Sequence, residues 1–427
     1  MKLSLAIRLP GGLVLTLALA LLFSCAGDQP SADGESLDSL VQPDVETATS
    51  EVDDGTRVGE LPAVLGAQLR SMAYTAGTFD PNAEKKGVLI HDEERAHQGL
   101  NFFTSRDLAA AFLMDMDGRM VHRWRRGGGN WQHAEVRPNG DVIYIVKETQ
   151  LVKVDRESNV LWNQKIRAHH DHFTAYDGNI YVLTNRLESI PALHPVHKIL
   201  ADYVTVVSDD GEILEEYPLI PMLRRSAIAG LLPQAQHLDL TAEGERPEDV
   251  ELDYLHANHI EIFDGSVPGA LYRPGLALVS LRQINTVAIL DLEQGEVLWF
   301  WGPSNLVRQH HPTLLPNGNI LVFNNRDQRR RSAVIEIDPR TYDVVWRYSV
   351  EGFFTALRGS NQRLPNGNTL ITESDTGYAM EVTAEGETVW EFANLQIDEK
   401  QIRSAIWRMW RVDPSSLPFL AEMESAR

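Results

Sequence analysis

Six short segments of this chain repeat one pattern, and this repeat constrains the fold more than any other feature. Each segment alternates apolar and polar residues, passes through a polar turn and ends on an aromatic residue. The period of two places alternate side chains on one face, so each segment predicts a β-hairpin. The segments span residues 113–124, 151–162, 204–217, 287–299, 334–346 and 379–390, and end on Trp124, Trp162, Tyr217, Trp299, Trp346 and Trp390.

A second set of turns lies between these hairpins. Pro-Asn-Gly occurs at 138–140, 316–318 and 365–367, and Asp-Gly occupies the corresponding places at 177–178 and 264–265. Asn-Gly favours the type I′ turn that matches strand twist, which makes it a strong hairpin signal. One hairpin of each kind makes a four-stranded antiparallel sheet, and six such sheets around an axis form a β-propeller. The predicted fold class is therefore all-β, a six-bladed β-propeller.

The two kinds of turn differ in number, which bears on how the ring closes. Five turns of the second kind accompany six of the first, so we expect one blade to be completed across the termini. The candidate strands for it are residues 87–90, 101–104 and 406–410. The longest interval between repeats contains an insertion, in which the apolar residues 220–232 favour a short helix.

The N-terminal segment has the character of an export signal. Lys2 and Arg8 precede an apolar stretch, 13–23, that is too short to span a bilayer. It ends in Leu-Phe-Ser-Cys at 22–25, which resembles a bacterial lipobox. We therefore expect a lipoprotein signal peptide over residues 1–24 and lipidation of Cys25, the only cysteine of the chain. The lipid would anchor an exported protein to a bacterial membrane, facing the periplasm or the cell exterior; an ordinary signal peptide is the alternative.

The rest of the chain divides into a tether and one large domain. Residues 25–60 are small, polar and rich in Asp and Glu, a composition typical of a flexible, solvated segment. Residues 61–427 are long enough to build the propeller around a single large core. The formal net charge of −21, without a basic patch, makes nucleic acid a poor partner.

Histidines recur at the entrance to the innermost strand of several predicted blades. His170 and His310 each stand eight positions before the glycine of the following turn, His256 stands nine before it, and His133 seven. The innermost strands of a propeller line the central channel, so these imidazoles should converge on one axis. Converging imidazoles either bind a metal ion or handle an anion.

Arg282 favours the anion. It follows a strand-like run on the same predicted blade as His256. A guanidinium beside a divalent cation is unfavourable, whereas beside an oxyanion it offers a planar fork of donors. We therefore expect an anion site and no metal ion.

Four segments of the chain resemble the bacterial arylsulfotransferase family. They are Ala-His-His-Asp at 168–171, Asp-Tyr-Leu-His-Ala-Asn at 253–258, Ser-Leu-Arg at 280–282 and the run at 309–319. The resemblance implies a six-bladed propeller that moves a sulfuryl group from an aryl sulfate to a phenol, without PAPS or another cofactor. It also implies that His310 is the nucleophile and carries the group as a transient sulfohistidine.

The resemblance further implies the residues around this nucleophile. The catalytic partners that bind the sulfate fall on His170, His256 and Arg282, although His169 competes with His170 for the position facing the channel. His169, Asn258 and His311 are additional substrate-binding candidates. Aromatic residues near blade entrances that could stack on an aryl ring are Trp301, Phe353, Phe354 and Tyr378.

Two other functions are compatible with these residues. One is a non-catalytic, lipid-anchored propeller that serves as a binding or scaffold module, because fold alone does not define function. The other is an aryl sulfate hydrolase, in which water replaces the phenol at the same anion site.

Overall fold

The computed structural model describes residues 77–105, 108–195, 197–233, 251–326 and 331–425. These residues form a ring of six antiparallel sheets, which confirms the predicted six-bladed β-propeller. The expected signal peptide, Cys25 and the tether lie outside the described residues. No helix in the described part of the chain is long and apolar enough to cross a membrane.

The strands follow one another around the ring, and each blade is numbered here in that order. The chain enters through five strands, β1 (Gly77–Phe79), β2 (Gly87–His91), β3 (Leu100–Ser105), β4 (Ala110–Met114) and β5 (Met120–Arg125). Strands β3 to β5 belong to blade 1. Blade 2 contains β6 (Trp131–Val136), β7 (Val142–Val146), β8 (Gln150–Val154) and β9 (Val160–Gln164). Blade 3 contains β10 (Ala168–Thr174), β11 (Ile180–Glu188), β12 (Lys198–Val207) and β13 (Ile213–Pro218), with the short parallel strand β14 (Glu251–Asp253) beside β12.

Three more blades complete the ring. Blade 4 contains β15 (Ala257–Ile262), β16 (Ala277–Leu281), β17 (Thr286–Asp291) and β18 (Glu296–Trp301). Blade 5 contains β19 (His310–Leu314), β20 (Ile320–Asn324), β21 (Ala333–Ile337) and β22 (Val344–Tyr348). Blade 6 contains β23 (Ser360–Arg363), β24 (Thr369–Glu373), β25 (Tyr378–Val382) and β26 (Thr388–Ala393). The last strands are β27 (Ile402–Ser404), which pairs with β1, and β28 (Ile406–Val412).

The ring closes through both ends of the described chain. Strand β28 is the innermost strand of blade 1 and pairs antiparallel with β3, with Trp410 opposite Phe102. Strand β2 pairs with β26 and adds a fifth, outermost strand to blade 6. All three candidate segments therefore take part in closure, in two different blades. The innermost strands β6, β10, β15, β19, β23 and β28 contact one another in that order around the axis.

The Pro-Asn-Gly turns join strands where they were predicted, but their geometry is different. A type I′ turn needs positive φ at both central residues, whereas only the glycines adopt it, with φ of 87° at Gly140, 84° at Gly318 and 90° at Gly367. The preceding proline holds the first central φ negative, which produces a type I turn followed by a left-handed glycine. In blade 5 the Gly318 N–H donates to the carbonyl of Leu315 at 2.8 Å. The hairpins are confirmed and the type I′ prediction was wrong.

The aromatic residues that end the repeats join neighbouring blades. In five of them the indole N–H donates to a backbone carbonyl in a turn of the next blade. The bonds run from Trp124 to Gly140 (2.8 Å), Trp162 to Asp209 (2.8 Å), Trp299 to Pro339 (3.0 Å), Trp346 to Ala384 (2.8 Å) and Trp390 to Met116 (2.9 Å). The last bond crosses from blade 6 to blade 1. Each ring thus fills space between two sheets while its polar atom satisfies a carbonyl.

The insertion after blade 3 is helical over a shorter range than 220–232. Helix α1 spans Leu219–Arg224, and a single 3₁₀ turn follows at Ala229–Leu231. The helix buries Leu219 and Leu223 in the core that also contains side chains of blades 3 and 4. Helix α2, Phe419–Ser425, ends the described chain.

Candidate active site

Most innermost strands are irregular at the end where the histidines enter. A register shift, or β-bulge, falls between Trp131 and Ala134, Ala168 and His172, Ala257 and His259, His310 and Thr313, and Ile406 and Met409. His170 and His256 also have left-handed φ values, 58° and 50°, which are uncommon for residues other than glycine. Bulges redirect side chains, and strained backbone concentrates at functional sites. The regular strand pairing is therefore interrupted where the histidine side chains come together.

His310 is held in one tautomer. Its Nδ1 lies 2.7 Å from Oδ1 of Asn325 and 3.0 Å from the carbonyl oxygen of Arg308. The Asn325 amide is oriented by its Nδ2, which donates to the carbonyl oxygens of Thr355 (3.0 Å) and Arg358 (2.7 Å). Because both atoms facing Nδ1 are acceptors, Nδ1 carries the proton and Nε2 keeps its lone pair. Nε2 is buried and has no hydrogen-bond partner among the described residues.

His170, His169 and His256 form a line of imidazoles between two carboxylates. Nε2 of His256 lies 3.1 Å from Nε2 of His170, and Nδ1 of His170 lies 2.9 Å from Nδ1 of His169. Asp253 contacts Nδ1 of His256, and Asp202 lies 3.2 Å from Nε2 of His169. His170 therefore faces His256, while His169 lies behind it against Asp202.

Electrostatics keep two of these imidazoles neutral. Burial and the charge of Arg282 hold the pKa of His310 well below its ordinary value. Burial and the neighbouring His256 do the same to the pKa of His170. For Asp253, burial raises the pKa, but the hydrogen bond from His256 and the nearby charges of His256, His169 and Arg282 together outweigh burial, so the net pKa is lowered and the carboxyl is ionised. The Asp253 carboxylate accepts a hydrogen bond from Nδ1 of His256, which leaves the lone pair of that ring on Nε2.

Arg282 brings positive charge to these imidazoles. Its backbone N–H donates to the carbonyl of His256 at 3.2 Å, and its side chain is 7% exposed. A buried guanidinium among neutral imidazoles suits a tetrahedral oxyanion, to which it presents several N–H donors. In the part of the chain that the structure describes, no group of three or more His, Cys, Asp or Glu could hold a metal ion. The structure thus brings together His170, His256, Arg282 and His310, here called the His–Arg cluster.

A second group of histidines surrounds Asp171 further along the channel. The Asp171 carboxylate lies 3.0 Å from Arg408 Nη1, 2.6 Å from His259 Nδ1 and 3.5 Å from His133 Nε2. The ring of His311 lies edge-on to that of His259, with centroids 4.9 Å apart. We call Asp171, Arg408, His133, His259 and His311 the axial belt.

Two histidines singled out in the sequence belong to this belt and do not join the His–Arg cluster. His133 stands seven positions before its turn glycine rather than eight, and it pairs with Asp171. His311 follows His310 directly, but its backbone has a left-handed φ of 49°. The centroid of its ring lies 5.1 Å from that of Trp410. Asn258 takes a supporting place, because its Nδ2 donates to the carbonyl of Gln309, the residue before His310, at 2.9 Å.

Several residues around the His–Arg cluster were not predicted from the sequence. Asp253 lies three positions before His256, a spacing that could have signalled a carboxylate–imidazole pair. Asn325 and Asp202 carry no such signal, because their contacts with histidines depend on how the strands pack. Trp407 lies with its ring 6.1 Å from that of His170.

The aromatic residues expected near the site lie elsewhere. Trp301 and Phe353 are buried in hydrophobic cores of the blades, and Phe354 is also buried. Tyr378 donates its hydroxyl to Asp80 at 2.7 Å. Packing inside and between blades, the commoner role of aromatic residues in propellers, takes up these side chains.

Fold and site together define a six-bladed propeller with a buried imidazole–arginine cluster at its channel. The family model described as Arylsulfotransferase (ASST) matches residues 132–395, which is more than half of the chain and includes the whole cluster. The chain belongs to the arylsulfotransferase family.

Solved structures of other proteins resemble this chain only distantly. A protein of unknown function from Bacteroides caccae is 15% identical, with 73% of this chain and 98% of that chain covered and a TM-score of 0.47. A streptogramin B lyase is 13% identical, with 77% and 87% covered and a TM-score of 0.43. The WD40 β-propeller domain of Doa1 is 11% identical, with 73% and 78% covered and a TM-score of 0.39. No curated protein sequence matches the chain.

Proposed function

We propose that this protein transfers a sulfuryl group from an aryl sulfate to a phenol through a covalent intermediate on His310. Family membership supports arylsulfotransferase activity in general. The observation that carries the specific proposal is Nε2 of His310, which is buried, unprotonated and without a partner among the described residues. Such a nitrogen is an available nucleophile, and covalent catalysis divides one difficult displacement into two easier ones.

In the first step the Nε2 lone pair attacks sulfur. The N–S bond forms as the bond between sulfur and the aryl oxygen breaks, and its electron pair leaves on that oxygen. In the second step the acceptor phenol oxygen attacks sulfur and the lone pair returns to Nε2. The Nδ1 proton stays on His310 throughout, and the Asn325 oxygen stabilises the positive charge that the ring gains.

Arg282 and His170 are proposed to bind the sulfuryl oxygens. By analogy with phosphoryl transfer, a loose transition state spreads charge over the equatorial oxygens, so positioning and electrostatics dominate the rate. The guanidinium of Arg282 lies close enough to lower the pKa of His310, which places its charge beside the proposed nucleophile. The neutral ring of His170, which lies on blade 3, adds an N–H donor.

His256 is proposed to transfer the protons of both steps. Asp253 contacts Nδ1 of its ring, so Nε2 can take the proton from the acceptor phenol and return one to the departing phenolate. Trp407 is proposed to form one wall for the aryl ring, because it is partly buried and lies beside His170.

The test is release of 4-nitrophenol from 4-nitrophenyl sulfate with and without added phenol. Release that depends on phenol supports transfer, release without phenol indicates a hydrolase, and no release favours a binding module. Arg282→Ala should lower the rate by about 10²–10³. Arg273→Ala, a more exposed arginine of the same blade, should leave it unchanged.

Membrane attachment is a separate proposal. We propose that the mature chain begins at Cys25 and is held by its lipid on a bacterial membrane, because Cys25 ends a lipobox-like segment. Cells fed radioactive palmitate should label the native protein and not a Cys25→Ala variant. Equal labelling of both would refute the anchor and leave the catalytic proposal intact.

A further inference from the structure

A cavity of about 650 Å³ lies beyond the axial belt along the innermost strands. Part of its wall is the belt itself, while the described lining contains no residue of the His–Arg cluster. Phe102, Phe173 and Trp410 contribute aromatic surface. Cavities of roughly 300–1,000 Å³ with apolar walls and a few polar groups are typical small-molecule sites.

Glu261 is the polar group that distinguishes this cavity. It lies on β15, and its carboxylate accepts the backbone N–H of Leu314 at 3.0 Å. No ion pair with a described residue involves Glu261, and burial with the negative charges of Asp171 and Asp264 raises its pKa to about 8. A partly buried carboxyl group in this setting lacks the cation that would stabilise its charged form.

The arginines of the same wall cannot supply that cation. Each one already holds another carboxylate at short range. The pairs are Arg363 with Glu336 (2.9 Å), Arg408 with Asp171 (3.0 Å) and Arg411 with Glu381 (2.9 Å).

Buried imidazoles add unused hydrogen-bonding capacity to the cavity. His172 is 2% exposed, and neither of its ring nitrogens has a partner among the described residues. His311 Nε2 is buried and lacks a partner in the same part of the chain. Buried polar atoms are nearly always hydrogen-bonded, so unpaired ones that line a cavity indicate a ligand.

We propose that this cavity is a second ligand site, which binds an organic ammonium ion that carries an aromatic group. The cation would pair with the Glu261 carboxylate, and the neutral ring of His172, whose two nitrogens both lack a partner among the described residues, would turn its lone pair toward it. Aromatic walls attract cations as well as covering the apolar part of the ligand. The catalytic residues do not line this cavity, so the site is independent of the proposed sulfuryl transfer.

The test uses benzyltrimethylammonium, whose charge does not depend on pH, and benzyl alcohol as its neutral counterpart. Calorimetric titration of the full chain should give about tenfold tighter binding of the cation at pH 9 than at pH 7. The reason is that a carboxyl with a pKa of about 8 is roughly one-tenth ionised at pH 7 and nine-tenths ionised at pH 9.

Glu261 is the cavity group expected to change charge in this pH range. Burial holds the pKa values of the surrounding imidazoles, His133, His172, His259 and His311, below the ordinary value, so they stay neutral. Asp171 and Arg408 remain a charged pair, and Asp264 remains ionised. Benzyl alcohol should therefore bind equally at both pH values.

Variants separate this site from unspecific attraction to an acidic protein. Glu261→Gln keeps an acceptor for the Leu314 N–H and should lose at least tenfold in cation affinity at pH 9, together with the pH dependence. Glu135→Gln is the matched control, because Glu135 lines the same cavity but already binds Thr174 and Arg137. Equal affinity for cation and alcohol at pH 9, or unchanged cation binding in Glu261→Gln, would overturn the proposal. If Glu261→Gln fails to fold, the pH dependence of cation binding by the native protein still tests the proposal.

Discussion

Oδ1 of Asn325 lies 2.7 Å from Nδ1 of His310, on the side of the ring opposite the nitrogen that is free to react. Its amide cannot turn over without losing two bonds to backbone carbonyls. The contact therefore determines which nitrogen of His310 is protonated, in the way that a carboxylate does for the histidine of a catalytic triad.

Replacing this amide by a carboxylate should alter the pH profile. In Asn325→Asp the new negative charge favours the imidazolium, so the pKa of His310 rises and the acid limb of kcat/KM moves to higher pH. Repulsion between the carboxylate and the carbonyls of Thr355 and Arg358 should also lower kcat. Rates measured from pH 4.5 to 8 test this. Asn324→Ser, a change at the neighbouring buried residue, serves as the control and should keep the native acid limb. An identical acid limb in Asn325→Asp and the native protein would contradict the predicted role of Asn325.

The Asp253–His256 pair should matter most for poor leaving groups. A phenolate needs a proton as it departs, whereas the less basic 4-nitrophenolate needs little help. Asp253→Asn should therefore reduce turnover of phenyl sulfate about tenfold more than turnover of 4-nitrophenyl sulfate. An equal loss with both donors would show that Asp253 acts through the structure of the site rather than through proton transfer.

Acid should destabilise the fold through its buried histidines. His133, His170, His172, His259, His310 and His311 all have lowered pKa values, with burial as the largest cause. Each therefore binds fewer protons than in the unfolded chain, and stability is lost as pH falls through about 6.5, by about 1.4 kcal/mol per histidine between pH 7.5 and 5.5. Glu261, with its raised pKa, acts in the opposite direction but is a single group.

Urea unfolding at the two pH values measures this balance. We expect the free energy of unfolding to be several kcal/mol lower at pH 5.5 than at pH 7.5. Equal or greater stability at pH 5.5 would mean that the imidazoles accept protons without loss of the fold.

The tryptophan that closes the ring should contribute more to stability than an equivalent exposed one. Trp390 is fully buried and donates to Met116 across the junction of blades 6 and 1, so Trp390→Phe leaves that carbonyl unsatisfied. The expected loss is about 1–3 kcal/mol. Trp346→Phe removes the matching bond from a partly exposed ring and should cost less. Thermal unfolding of both variants checks the order, and the reverse order would contradict it.

The sequence predicted the blades well because their signals are local. Alternation, turns and terminal aromatic residues each act within a dozen residues, and the indole bonds between blades explain why Trp recurs. The type I′ prediction failed for an equally local reason, since the proline before each Asn-Gly fixes a negative φ at the first central position of the turn.

The candidate site could be predicted only in part. His170, His256 and His310 lie together because blade repetition places equivalent positions on one axis, and Arg282 joins them because its backbone N–H binds the carbonyl of His256. His133 and His311 lie in the axial belt because bulges and a left-handed residue shift the register locally, which a count of positions cannot detect. Asn325 contacts His310 through strand packing, and no spacing in the sequence reports that contact.

The most direct test of sulfuryl transfer through His310 is mass spectrometry of the protein quenched during turnover of 4-nitrophenyl sulfate without acceptor. We expect a sulfuryl adduct on the peptide that contains His310, its disappearance when phenol is added, and neither adduct nor turnover in His310→Ala. Transfer to phenol at a near-native rate by His310→Ala, or an adduct on another residue, would contradict the proposed role of His310.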